Sequence, residues 1–184
     1  LQSTAAIAPS SRYLGRAMAE PLRWKDAKVV VELGPGTGVI TREVLAVLPA
    51  DAILLAFEIS PTFVECLRET IFDDRLRVIQ AGAETVPDEL DRLGIRHVDG
   101  VISSLGITVM DEDIVDSIFG GLVPYLDESS AITQYQYGSR LRLEDGKPVY
   151  FNVRALLDRY FKTVDSKIIW RNIPPAIVFT CVGA

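Results

Sequence analysis

Histidine, cysteine and long apolar runs are the scarce features of this chain. Of its 184 residues one is histidine and two are cysteine. A zinc site needs a cluster of Cys and His ligands, so no metal is expected. Cys66 and Cys181 stand apart in apolar patterns. They read as reduced core residues of an intracellular protein rather than as a disulfide framework. No stretch of about 18 residues is free of charge, which reads against a membrane-spanning helix. The opening, LQSTAAIAPSSRYLGRAM, has no basic segment followed by an apolar core, so no signal peptide is expected. Repeats, low-complexity tracts and linkers are also lacking, and the length suits one domain with a sizeable core.

Charge is present but unevenly placed. The net charge is -6, which argues against general nucleic-acid binding. Residues 12–28 carry five basic and two acidic groups, residues 29–138 six and nineteen, and residues 139–184 eight and four. The two ends are basic and the middle is acidic. Solvated surface charge is the plain reading; ends that meet an anionic surface are the sharper one.

Strand-like and helix-like segments alternate along the chain. The pattern predicts strands over 28–33, 52–57, 75–80, 98–104, 131–137, 163–170 and 176–182, and helices over 10–20, 38–48, 61–71, 84–93, 111–122 and 152–160. Short apolar runs such as Val29 to Leu33 suit parallel strands covered on both faces. Thr37 and Ser60 are candidate helix caps, with Pro61 in a first turn. The last two strands follow one another through Asn172-Ile-Pro-Pro175 without a helix, which fits a hairpin. Alternation of this kind gives an open α/β sheet with its ligand beyond the carboxyl ends of the strands.

The first such end carries Gly34-Pro35-Gly36-Thr37-Gly38. A dinucleotide fingerprint would need its third glycine at position 39, which is Val39. No Lys-Ser or Lys-Thr follows, so the turn is not a P-loop. Glu32, two residues ahead, would repel a pyrophosphate at the helix N-terminus, but suits a cation such as the ammonium of a methionine moiety. Glu58 ends the second predicted strand, 20 residues after Gly38, where a carboxylate accepts from ribose hydroxyls. The third ends in Gln80-Ala-Gly-Ala-Glu84. A small Ala83 lets backbone amides approach an adenine edge, and Glu84 either caps the next helix or lies near the base. Together these features describe a site for S-adenosylmethionine (AdoMet), in a domain over 28–184 preceded by an arm over 1–27.

The stretches VVELGPGTGVIT, FEIS and AGAE resemble the successive motifs of class I AdoMet-dependent methyltransferases, in order over nearly the whole chain. The resemblance implies a Rossmann-like α/β fold: a seven-stranded, mostly parallel sheet of order 3-2-1-4-5-7-6 with a terminal antiparallel hairpin. It implies AdoMet as cofactor, S-adenosylhomocysteine as product and no metal. It places cofactor contacts at Glu32, Gly34, Gly36, Thr37, Gly38, Glu58, Ile59, Ala83, Glu84 and Ser103.

Two subfamilies share this style. Ribosomal RNA adenine dimethyltransferases carry an Asn-Leu/Pro-Pro-Tyr/Phe motif after the fourth strand, where this chain has Val101-Ile-Ser-Ser-Leu-Gly-Ile-Thr108. Nothing there stacks on or polarises a flipped base. The chain is more similar to bacterial phospholipid N-methyltransferases, through APSSRYLGRAM at 8–18, QYQYG at 134–138 and RNIPPAIVF at 171–179. Gly106 departs from that family's pattern, in which a Pro is common. This resemblance implies N-methylation of phosphatidylethanolamine and its mono- and dimethyl forms toward phosphatidylcholine. Tyr137 and Ser104 are the candidate catalytic residues, and Tyr13, Arg16, Tyr135 and Asn172 the candidate substrate contacts. Arg12, Arg16, Arg23, Lys25 and Lys28 make the arm a candidate for docking to an anionic membrane surface. A monomer without a nucleic-acid partner is expected, cytoplasmic and peripherally membrane-associated. A ribosomal RNA or small-molecule methyltransferase is the alternative. His97 precedes the fourth strand and reads as structural, and residues 139–150 read as a loop able to cover the site.

Overall fold

A computed structural model describes residues 10–22, 26–137, 141–144, 147–150 and 152–184. In chain order the elements are α1 (Arg12–Ala19), β1 (Val29–Leu33), α2 (Val39–Leu45), β2 (Ile53–Phe57), α3 (Pro61–Thr70), β3 (Leu76–Ile79), α4 (Val86–Arg92), β4 (Gly100–Ser103), α5 (Glu112–Leu122), β5 (Ala131–Tyr137), β6 (Leu141–Glu144), β7 (Lys147–Tyr150), α6 (Val153–Leu157), β8 (Thr163–Ile169) and β9 (Ala176–Val182). Seven strands form one sheet in the order β3-β2-β1-β4-β5-β9-β8. Strands β1 to β5 pair in parallel, and β9 runs antiparallel to both β5 and β8. This is the order expected from the motifs, with the terminal hairpin at one edge.

Helices cover both sheet faces because each strand alternates its side chains. Val31, Leu33, Leu55, Phe57 and Val101 join α4, α5 and α6 in one core cluster. Val30, Leu54 and Ile102 join α1 and α2 in the other. The described residues of the expected arm contribute to that second core. Leu14 and Met18 of α1 are fully buried, and the Ser11 hydroxyl caps the helix by accepting from the Leu14 N–H at 3.2 Å.

Three local expectations are corrected. Thr37 does not cap α2: the cap position is Gly38, with φ 77°, and no side-chain hydrogen bond closes it. Glu84 does not cap α4 either. It sits exposed in a 3-10 turn, Ala83–Thr85, and α4 begins at Val86. Residues 139–150 are not simply a loop, since β6 and β7 form an antiparallel pair of their own. In the sequence, Asp145-Gly146 between two such segments is a strong short-range hairpin signal.

The break in strand order positions the site. From β1 the chain turns one way to β2 and β3, whereas β4 lies on the other side of β1. The crevice beyond the carboxyl ends of β1 and β4 is where doubly wound sheets bind ligands.

Candidate active site

The glycine turn leaves β1 with three left-handed residues, Gly34, Gly36 and Gly38, at φ 69°, 56° and 77°. L side chains rarely adopt such angles. Space adds a second constraint at Gly38, where a Cβ would lie 2.7 Å from Leu67 and Ile71 of the α3 region. A Cβ on Gly36 would meet nothing within 4 Å, so there the turn faces open space. Its peptide groups can be approached by a ligand on that side.

Two carboxylates flank the turn in different states. Glu58 follows β2 and is nearly buried. Its Oε2 accepts from the Gly36 N–H at 3.0 Å and its Oε1 from the Ser60 N–H at 2.8 Å. These bonds fix the carboxylate against the turn and leave lone pairs on each oxygen. Glu32 is fully buried within β1, and neither carboxyl oxygen has a hydrogen-bond partner. Burial pushes its pKa up to about 8, with the nearby Glu58 charge adding to the effect. The Thr41 hydroxyl beside it pulls the other way without completing a hydrogen bond. A buried, unpartnered carboxyl group at a ligand cradle calls for a cationic partner. The ammonium of a methionine moiety would be such a partner, and the free lone pairs of Glu58 would accept from ribose hydroxyls, so the residues present fit AdoMet.

A cavity of about 160 Å³ opens beside the turn. It brings together Gly34, Gly36 and Thr37 with Ser104 and Tyr135, and adds Ser10, Pro35, Val39, Ile40 and Phe63. Phe63 and Ser10 were not singled out from sequence. Phe63 lies two residues after Pro61 in α3 and five after Glu58, a closeness in sequence that could have marked it. Ser10 reaches the cavity only because α1 packs against the sheet.

The β5 end supplies Tyr135 to the cavity lining, with Tyr137 packed against it. Tyr135 and Tyr137 lie on the α1 face, with ring centroids 5.2 Å apart and edge to face. Burial pushes the Tyr135 phenol up to about 12; the Ser10 hydroxyl, 3.5 Å away, opposes this and Tyr137 adds to it. The Tyr137 hydroxyl is buried and unpartnered, as are the Ser103 and Ser104 hydroxyls. On the opposite face Gln134 is fully buried, donating to the Leu105 carbonyl at 3.0 Å while its Oε1 stays unpartnered. It ties β5 to the loop after β4.

The other candidates fall elsewhere. Ile59 is largely exposed beside Glu58, and Ala83 is buried beyond β3. A Cβ on Gly82 would collide with the Glu84 carboxylate, so that glycine lets Glu84 fold back over the turn. Arg16 does not reach the cavity. Its guanidinium pairs with Glu43 at 3.0 Å, in a separate groove with Ala46 and Val47. Tyr13 sits at the surface under the Arg171 guanidinium, 5.2 Å from ring centroid to Cζ. Asn172 is buried with both polar atoms engaged: Oδ1 accepts from the Ser11 N–H at 2.9 Å and Nδ2 donates to the Pro174 carbonyl at 2.8 Å. Its visible work is to tie α1 to the β8–β9 turn. His97 lies at the opposite edge of the sheet, 3.3 Å from Asp99 and 3.6 Å from Asp127.

The chain is 29% identical over 181 residues to ornithine lipid N-methyltransferase of Singulisphaera acidiphila, covering 97% of this chain and 88% of that protein. It is 39% identical over 89 residues to ribosomal RNA small subunit methyltransferase H of Aromatoleum aromaticum, a match spanning 48% of this chain and 28% of that protein. Among solved structures it resembles the 1,6-didemethyltoxoflavin-N1-methyltransferase of Burkholderia thailandensis, which holds S-adenosylhomocysteine. The TM-score is 0.66 at 18% identity, over 94% of this chain and 78% of that one. No protein-family model matches the chain. The sheet order, the glycine cradle with its two carboxylates and these likenesses make the chain an S-adenosylmethionine-dependent methyltransferase of the class I fold.

Proposed function

We propose that the chain methylates the amine of a membrane aminolipid, with phosphatidylethanolamine and its mono- and dimethyl forms as the acceptor series. The observation that carries this reading is the likeness to a lipid N-methyltransferase along 97% of the chain, well beyond the cofactor motifs. That relative's name makes an ornithine lipid the other aminolipid to test.

AdoMet supplies a methyl group on a sulfonium, already activated for in-line displacement. The protein's part is position and exclusion of water. Glu32 would hold the methionine ammonium and Glu58 the ribose, while the glycine turn brings backbone close. The acceptor nitrogen must present a free lone pair. No carboxylate, imidazole or amine lines the described cavity, so the ammonium would lose its proton to water before entry. The Tyr135 phenol, held neutral by burial, and the Tyr137 hydroxyl would orient the amine by hydrogen bonds. Their ring faces attract the positive charge that grows as the N–C bond forms. Ser104 would add a hydroxyl from the β4 side.

The test is methylation with labelled AdoMet on three acceptors: vesicles containing phosphatidylethanolamine, vesicles containing ornithine lipid, and ribosomal RNA with soluble amines. Label in an aminolipid supports the reading, and the vesicle type names the headgroup. Label in RNA or a soluble amine, with none in lipid, overturns it.

A further inference from the structure

The basic residues of the N-terminal segment do not form one docking face. Helix α1 crosses the height of the sheet. Its start is tied at Ser11 to Asn172, and Leu22 after its end packs where a Cβ on Gly100, the first residue of β4, would fall. Arg12 therefore lies at the carboxyl edge with the cavity, whereas Lys28, at the start of β1, pairs with Asp51 at the amino edge. Arg16 between them is paired with Glu43. Arg23 and Lys25 lie outside the described residues.

The β8–β9 turn offers a better-defined surface. Tyr137, the last residue of β5, pairs with Ala176, which also pairs with Ile169. The turn between Ile169 and Ala176 therefore projects from the same sheet edge as the glycine turn and the cavity. At its tip Trp170 is 73% exposed and Ile173 85%. Single exposed apolar residues are ordinary. Two large ones within a six-residue tip, beside the 43%-exposed Tyr13, form a patch. Arg12 and Arg171 rim it, and neither has an ion-pair partner among the described residues. The nearby Lys167 is neutralised by Glu20 at 3.1 Å. Tryptophan with arginine at the tip of a hairpin suits the boundary between acyl chains and anionic headgroups. No helix among the described residues is long and apolar enough to cross a membrane.

We propose that the β8–β9 turn is a lipid-surface anchor. Trp170 and Ile173 enter the interface, Arg171 and Arg12 meet anionic headgroups, and the cavity mouth is thereby held against the bilayer. Asn172 makes the anchor rigid, because its buried amide joins the turn to Ser11, next to the cavity residue Ser10. A headgroup amine can then enter while its acyl chains stay in the membrane. The inference deepens the aminolipid reading and rests on it for its purpose, but it is testable apart from it.

The chain has two tryptophans, so in a Trp24→Phe background Trp170 is the single tryptophan, excited selectively over the tyrosines. Vesicles with one-third anionic phosphatidylglycerol should shift its emission to the blue, and bromine-labelled acyl chains should quench it. The double variant Trp170→Ser/Ile173→Ser should bind these vesicles about 100-fold more weakly, yet methylate a detergent-dispersed acceptor at the parental rate. Raised salt should weaken parental binding, and less so for Arg171→Gln. Vesicle binding with unmoved, unquenched Trp170 emission overturns the anchor. So does a double variant that binds as the parent does. A lipid-independent emission shift that grows with protein concentration, together with a dimer in sedimentation, assigns the patch to a second copy instead. Quenching without transfer to any aminolipid leaves the anchor standing and sinks the acceptor reading; transfer without quenching does the reverse.

Discussion

The proposed cofactor side and the proposed acceptor side of the cavity are built in different ways. The cofactor side comes from residues close together in sequence at the ends of β1 and β2. Gly36 and Glu58 meet in one hydrogen bond of 3.0 Å, and Glu32 lies four residues before Gly36. The acceptor side is assembled from Ser10, Ser104 and Tyr135, with Asn172 holding the first of these segments in place. Damage on the cofactor side should therefore strike binding and local geometry directly. Damage on the acceptor side should separate lipid transfer from cofactor affinity.

The largest expected effect sharpens that contrast on the cofactor side. Glu58→Ala should weaken AdoMet binding by roughly 100-fold in calorimetry, since charged hydrogen bonds contribute about 1.5–3 kcal/mol each. It also frees the Gly36 and Ser60 amides, so a modest fall in Tm should accompany it. A binding constant unchanged from the parent would remove Glu58 from the ribose role.

Glu32 gives a pH signature. Its folded pKa, about 8, lies above the ordinary value of 4.5, so the ligand-free folded state holds the proton more tightly than the unfolded chain. Its contribution to stability is complete below about 4.5 and is lost as pH rises to about 8. Denaturant midpoints of the ligand-free protein should fall across that window. Glu32→Gln should flatten the fall, and AdoMet should stabilise the parent most at its upper end. A parent and variant with parallel profiles would contradict an unpartnered Glu32.

On the acceptor side, Asn172→Ala removes two buried hydrogen bonds. It should cost about 2 kcal/mol of stability and slow lipid methylation, while AdoMet affinity stays within about two-fold of the parent. An equal loss of AdoMet affinity would mean that the two sides are not separable. Tyr137→Phe is the mildest change. It deletes an unpartnered hydroxyl, so stability should stay within about 0.5 kcal/mol. Transfer should fall roughly ten-fold, the scale of one lost hydrogen bond in the transition state. Parental transfer rates would free Tyr137 of any orienting role.

The parts legible in the sequence are those made by neighbours. The glycine spacing, the acidic residue at the end of each of the first two strands and the apolar runs of the parallel strands all express local backbone needs. They led to an open α/β sheet with a terminal hairpin; the strand order came from the family resemblance those motifs carry. What went unread depended on contacts between distant segments or on competing local signals. Residues 139–150 read as a loop, although 141–144 and 147–150 pair as antiparallel strands. Thr37 looked like a cap, but the left-handed Gly38 takes that position. Arg12 and Arg16 share a helix face by spacing, yet Arg16 is engaged by Glu43 from α2.

The sequence alone determined the fold class and the AdoMet cradle, because a tight turn with positive φ and a carboxylate at a strand end are requirements of a few consecutive residues. Only the tertiary structure decided which hydroxyls and rings gather at the cavity, that Glu32 lies buried without a partner, and that the β8–β9 tip projects beside that cavity. Those properties depend on which distant segments exclude water from one another, and packing alone sets that.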